Sequence, residues 1–253
     1  MSAPDALVRV EEADGVTTVV LNDPGRRNAL SWDLVRALIE AVERATATGS
    51  RALVLRNTPP VFSAGGSVDD LLEPKVPLEE TYRAFRVLDE APMPTVAAVD
   101  GAAVGAGINL MLACDVALCT PASRFDGRFL DVGIHPGGGS MWRLSRAMGR
   151  QGAAALMLFG EVLDGTEAAR RGLVWRCVAV GELEAEAHRL ARRAAAHDPD
   201  LAATAKRTLV AAGDVDDAGA AIDLEAGPQR WSMDRPVFAE SLRALRERLG
   251  RPG

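Results

Sequence analysis

The 253-residue chain is long enough for one large core, or a core with an appended subdomain. With 48% hydrophobic and 25% charged residues and a formal net charge of −6, it has the make-up of a soluble globular protein, and it carries no basic patch interleaved with aromatics that would suit nucleic acid. No apolar stretch approaches the about 18 residues of a membrane span, and no basic-then-apolar leader opens the chain, so a cytoplasmic protein without a membrane partner is expected. Cys114, Cys119 and Cys177 sit in apolar segments without a C-x-x-C pair, which predicts reduced core thiols and neither a metal site nor a disulfide framework.

In chain order, Leu7–Val10 and Val16–Leu21 are β-prone runs joined at Asp14-Gly15, a hairpin signal. Residues 22–29 are loop in composition. Ser31 can cap a helix with apolar positions Leu34, Val35, Leu38, Ile39 and Val42, ended by Gly49. Arg51–Arg56 reads as the next strand, giving a strand–helix–strand crossover onto a helix-covered sheet. A glycine turn over 61–70 follows, then a proline-bracketed helical pattern over 74–94 containing Tyr82, Phe85, Val87 and Leu88.

Thr95–Val99 is a β-branched strand that runs into the turn Gly101–Gly107 and a helix-competent segment. At the start of that helix the N–H groups near Ala106 and Gly107 lack intrahelical acceptors, and the helix dipole adds positive potential. Such a point can hold an anion or a carbonyl oxygen gaining charge. The glycines do not spell G-x-G-x-x-G and no G-K-[ST] follows, which disfavours a nucleotide loop.

Val116–Cys119 is another strand. Phe125–Leu144 is a third glycine-rich loop leading into a helix, and it contains no G-x-S-x-G elbow. Gly152–Gly160 and Thr166–Gly172 read as helices and Leu173–Val180 as a strand. The remainder is helical, with breaks at 197–199, 211–214 and 234–236, so a core of strands and helices over 1–198 and a helical region over 199–253 are expected.

Several ordered motifs resemble the crotonase, or enoyl-CoA hydratase/isomerase, superfamily along nearly the whole chain. They are Arg26-Arg27-Asn28-Ala29-Leu30, Phe62-Ser63-Ala64-Gly65-Gly66, the stretch Ala98–Gly107, Leu112-Ala113-Cys114-Asp115, Gly133–Gly139 and Ala168–Val174. The resemblance implies an α/β spiral of repeated ββα units in two roughly perpendicular sheets, with C-terminal helices that build a homotrimer or dimer of trimers. It implies an acyl-CoA thioester as ligand, with coenzyme A present only as part of the substrate and no permanently bound cofactor. Carried over by position, the backbone N–H groups of Gly66 and Ala106 would form an oxyanion hole. Arg26, Arg27, Ala29, Ala64, Gly65 and Ser67 would border the coenzyme. Asn109, Phe129 and Gly138 would line the acyl pocket.

The departures concern the chemistry. Where hydratases of this family carry two glutamates, this chain has Asn109 and Phe129, neither of which can activate water or deliver a proton to Cα. Ala106 stands where glycine is usual and Ser67 where aspartate is frequent. Acids found in other branches are replaced by Pro136 and Gly137. The titratable candidates left are His135, Asp131, Asp69 and Asp70, with His135 the best suited to proton transfer near neutrality. The expected function is enolate stabilisation on an acyl-CoA with non-standard acid/base groups. A malonyl-type decarboxylase and a non-catalytic acyl-CoA-binding protein are the alternatives.

Overall fold

The computed structural model describes residues 6–249; the expectation of no leader also concerns residues 1–5, which lie outside them. The chain divides into two compact units between Ala195 and Ala196. Every strand among the described residues belongs to the first.

The chain opens with the antiparallel hairpin β1 (Val8–Ala13) and β2 (Val16–Leu21), turned at Asp14-Gly15 in the left-handed region. Helix α1 (Trp32–Ala47) starts where Ser31 Oγ accepts from Leu34 N at 3.3 Å, and it buries the predicted apolar face of Leu34, Val35, Leu38, Ile39 and Val42. Strand β3 (Ala52–Asn57) then pairs parallel to β2.

From β3 onward each repeat contributes one strand to each of two sheets. Strands β3, β5 (Thr95–Val99) and β7 (Val116–Cys119) enter a six-stranded sheet that ends in β10 (Arg176–Cys177) and is ordered β1-β2-β3-β5-β7-β10. Their immediate successors β4 (Val61–Ser63), β6 (Ala102–Val104) and β8 (Arg124–Asp126) build a four-stranded sheet, β4-β6-β8-β9, closed by β9 (Val162–Asp164). Helices α2 (Val68–Leu72), α5 (Ala106–Leu112) and α6 (Ser140–Leu158) follow β4, β6 and β8 respectively. Two short helices, α3 (Leu78–Thr81) and α4 (Arg83–Asp89), lie between α2 and β5. This is the expected ββα repeat.

The small sheet decides where the site forms. Pairs β4–β6 and β6–β8 are parallel, so the turns that leave them, at Gly65-Gly66, Gly105-Ala106 and 127–139, emerge from the same edge of one sheet. The expected glycine loops therefore contain three-residue strands at their starts. Glycine is required at two of these positions by close approach: a Cβ on Gly107 would lie 2.7 Å from Ser63 O, and one on Gly65 2.8 Å from Val104 O. Those absences let α5 press against β4.

Helix α6 is interrupted at Gly149 (φ 71°, ψ 170°). The strand expected over Leu173–Val180 shortens to β10 (Arg176–Cys177), which pairs parallel to β7. The rest of that run is turn, because Leu173 and Val174 close α7 (Gly165–Arg170) by donating to Ala168 O. Helix α8 (Leu183–Ala195) packs Leu183, Ala187, Ala191 and Ala195 against the large sheet. All three cysteines are free thiols, with Cys114 and Cys119 buried.

The second unit is helical. Helix α9 (Pro199–Ala212) is capped by Asp198, α10 (Ala218–Met233) by Asp217, and α11 (Pro236–Leu249) follows the break at 234–235. Arg235 ties two of these together, with Nη2 at 2.9 Å from Asp198 Oδ2 and its guanidinium 4.7 Å from the Trp231 ring centre. Hydrogen bonds from Leu201 N and Arg235 hold the Asp198 carboxyl below its usual range.

Candidate active site

The loop at 22–30 is laced to the first glycine turn. Arg27 and Asn28 are consecutive left-handed residues (φ 54° and 50°). Asn28 holds that geometry from a fully buried position: its Nδ2 donates to Val61 O at 2.7 Å and Thr58 O at 3.2 Å, and its Oδ1 accepts from Asp23 N at 2.7 Å. Ser63 Oγ donates to Asn28 O, Ala64 N to Arg27 O and Leu30 N to Gly65 O. The result is that Ala29, Ala64 and Gly65 form one continuous backbone ledge. Arg26 and Arg27 stand exposed at its edge and take part in no ion pair among the described residues. Ser67 does not face outward from this ledge. It is buried and caps α2, its Oγ accepting from Asp70 N at 3.4 Å.

At the ends of β4 and β6 backbone donors are left over. Around Gly66 the neighbouring amides are all spent: Gly65 N donates to Ser63 Oγ and Ser67 N to Leu30 O. Gly66 N itself has no acceptor among the described residues. Ala106 N, the first amide of α5, is likewise unspent. A Cβ on Gly65 would lie 3.6 Å from Ala106 N, so the two turns touch. Gly66 and Ala106 are both half-buried. The preceding residue, Gly105, is fixed by N–H donation to Asp126 O at 2.8 Å, and the Phe129 ring covers it, 3.6 Å from where a Gly105 Cβ would be. Two unspent N–H groups on neighbouring turns can bind an oxygen that is gaining negative charge.

The side-chain half of the site is wired differently. Asn109, one turn along α5 from Ala106, is 1% exposed and fully committed: its Nδ2 donates to Gly138 O at 2.8 Å and its Oδ1 accepts from Arg143 Nη1 at 2.8 Å. It is thus a strut between α5 and the third glycine turn. Arg143 Nη1 also donates to Gly138 O, while Nη2 pairs with Asp89 at the end of α4. The guanidinium lies 5.9 Å from the Phe85 ring centre, and Phe85 in turn occupies the space where a Gly138 side chain would be.

Of the titratable candidates, His135 is exposed, with Nδ1 2.8 Å from Pro136 O. Asp131 is exposed on a 3-10 turn, Leu130–Val132. Asp69 is exposed too. Asp70 accepts from Trp32 N at 2.6 Å and pairs with Lys75 at 3.4 Å, which fastens α2 to the start of α1. None of these four is buried within the wall formed by Asn109, Gly138 and Phe129. Among the described residues there is no cluster of three or more His, Cys, Asp or Glu able to hold a metal.

Sequence reasoning missed four residues that shape this site: Asn28, Asp89, Arg143 and Tyr82. Tyr82 borders the third turn so closely that a Cβ on Gly137 would lie 2.2 Å from its hydroxyl oxygen. Burial, then the Glu79 charge, push its pKa above the usual tyrosine value, while the Gly138 backbone N–H pulls the other way. The available signals were faint. Arg143 is an arginine one turn into a helix beside the apolar Leu144, and Tyr82 is the single tyrosine of the chain.

The profile of the Enoyl-CoA hydratase/isomerase family matches residues 11–251. The chain belongs to this family. It is 37% identical over 246 residues to "Probable enoyl-CoA hydratase EchA14" of Mycobacterium tuberculosis, covering 92% of this chain and 94% of that one. It is 30% identical over 259 residues to 4-chlorobenzoyl coenzyme A dehalogenase-1 of an Arthrobacter species, covering 98% and 93%. Among solved structures, an enoyl-CoA hydratase from Polaromonas sp. JS666 superposes with a TM-score of 0.88 at 27% identity over 95% of this chain and 97% of that one. The α/β fold is therefore that of the crotonase superfamily. No helix among the described residues is long and apolar enough to cross a membrane.

Proposed function

We propose that this protein binds an acyl-CoA thioester and stabilises its enolate between the N–H groups of Gly66 and Ala106. The observation that supports this most is the pair of unspent amides on touching turns, Gly66 N and Ala106 N, flanked by Gly65, Ser67 and Gly105 amides that do find acceptors. Ala106 keeps the N–H that glycine would offer there, adding only a methyl group. Arg26 and Arg27, exposed beside the Ala29–Ala64–Gly65 ledge, suit the phosphates of coenzyme A, which is present only as part of the substrate. Assembly as a homotrimer or dimer of trimers through the C-terminal helices belongs to the same reading. Exposed Leu209, Val210 and Ile222 on α9 and α10 support it. A cytoplasmic site of action goes with it.

Hydration by two carboxylates is not its reaction, because Asn109 is tied to Gly138 and Arg143, and Phe129 covers Gly105. The site suits a thioester whose enolate forms without a carboxylate base, such as a malonyl-type acyl group losing CO₂. The second reading, a non-catalytic acyl-CoA-binding protein, draws on the exposure of His135 and Asp131. Titration with butyryl-CoA, followed by assays with crotonyl-CoA and malonyl-CoA, tests both. Tight binding with background hydration of crotonyl-CoA is expected. Substantial hydration contradicts the reading of Asn109 and Phe129, and absence of binding contradicts the site as a whole.

A further inference from the structure

We propose that Tyr82 is the proton donor of this site, its hydroxyl delivering a proton to Cα of the enolate held at Gly66 and Ala106. The inference rests on the enolate-binding reading above and adds the group that reading lacks. Once CO₂, or another group, has left its bonding electrons on the thioester, Cα must gain a proton. The side chains expected to do this are unsuited by placement: His135 and Asp131 are exposed, and Asp70 is engaged with Trp32 N and Lys75. Asn109 has no proton to give, and Phe129 carries no polar atom.

Tyr82 is differently placed. It is half-buried, stacked on Phe85 with ring centres 6.1 Å apart. Its hydroxyl fills the volume that a side chain on Gly137 would occupy. Phe85 fills the corresponding volume at Gly138, whose carbonyl accepts from Asn109 one helical turn from the Ala106 donor. Tyr82, Phe85, Gly138 and Asn109 thus make one continuous wall that leads to the oxyanion turn. No acceptor for the Tyr82 hydroxyl proton is present among the described residues. Burial keeps the phenol protonated well above neutral pH, as a donor requires, and the Gly138 N–H is in position to ease the charge on the oxygen once the proton has gone.

The transfer balances simply. The Cα lone pair of the enolate takes the Oη proton and forms a C–H bond, the enolate oxygen regains its carbonyl double bond, and the phenolate recovers a proton from water. No oxidant, metal or cofactor is needed.

The test compares the wild type with Tyr82→Phe and Gly137→Ala, using butyryl-CoA for binding and malonyl-CoA and crotonyl-CoA for turnover. Tyr82→Phe keeps the ring against Phe85 and removes only the donor. Its kcat is expected to fall by about 10²-fold or more, the usual contribution of a positioned acid, with KM and butyryl-CoA affinity within about threefold of wild type. The loss of wild-type rate at high pH, as the phenol ionises, should disappear from the residual activity. Gly137→Ala displaces the hydroxyl without deleting it and should lower kcat in the same way, which keeps the test valid if Tyr82→Phe folds poorly. Unchanged kcat in a folded variant overturns the assignment. A wild type that binds butyryl-CoA tightly yet converts neither thioester also overturns it and leaves the binding reading standing. A wild type that does not bind butyryl-CoA overturns both.

Discussion

The first two glycine turns and the third differ in what they leave unspent. At Gly66 and Ala106 it is backbone N–H groups that lack acceptors, fixed by strands on either side and independent of side-chain identity. At the third turn side chains take the backbone carbonyl: Asn109, Arg143 and Asp89 close a network around Gly138. Backbone donors persist as long as the fold persists, whereas acid/base side chains can be exchanged one residue at a time. In this chain the first two turns present unspent backbone donors, and the side chains at the third turn form a brace.

The sharpest way to break the comparison is to remove one backbone donor. Ala106→Pro deletes the N–H at the first position of α5, where proline is compatible with the helix. Turnover of any accepted thioester should fall by about 10²–10³-fold, the cost of one oxyanion donor, with the melting temperature little changed. Steady-state kinetics beside a thermal melt checks this.

The brace should respond in the opposite sense, through stability. Arg143→Gln removes the cation that bridges Asp89 and the Asn109 oxygen and should destabilise the fold by about 2–4 kcal/mol, since the guanidinium is largely buried but Asp89 is not. That corresponds to a drop of roughly 5–15 °C in melting temperature for a chain of this size. Arg143→Lys should recover little of it, because one ammonium cannot reproduce the fork to Asn109, Gly138 and Asp89.

Smaller effects are expected further out. Arg26→Ala and Arg27→Ala should each weaken coenzyme A thioesters by about two- to tenfold, with a milder salt dependence than wild type, as befits exposed cations. Titration at several ionic strengths measures it. The smallest concerns acid stability away from the site. Glu167 is held down to about 2 by hydrogen bonds from Arg170 and Arg171. Its folded-state value lies below its unfolded one, so its contribution is present above the ordinary carboxylate range and is lost as pH falls toward about 2. Glu167→Gln should flatten that part of the stability–pH curve in acid melts.

Much of the large sheet was legible because β2, β3 and β5 are largely apolar runs of five or six residues, and α1 because Ser31 and the spacing of Leu34, Val35 and Leu38 agree. The small sheet was not. Strands β4, β6 and β8 have three residues each, too few for a period, and Gly101, Gly105 and Gly127 beside them read as turn. The unspent N–H near Ala106 was legible as a helix start after a glycine turn, whereas Gly66 was named only through the family resemblance. The roles of Asn109 and Arg143 were hidden, since a hydrogen bond between residues 34 positions apart leaves no local pattern. Tyr82 was read as part of a helical face, and only the turn folded against it shows where its hydroxyl goes.

The central claim, that two backbone N–H groups polarise a thioester carbonyl here, is most directly tested by infrared difference spectroscopy of butyryl-CoA labelled with ¹³C at the carbonyl. The carbonyl stretch of the bound ligand should move to lower frequency than in water and move back toward the free value in Ala106→Pro. A bound ligand whose carbonyl stretch is the same as in water, or is equally lowered in both proteins, would contradict it.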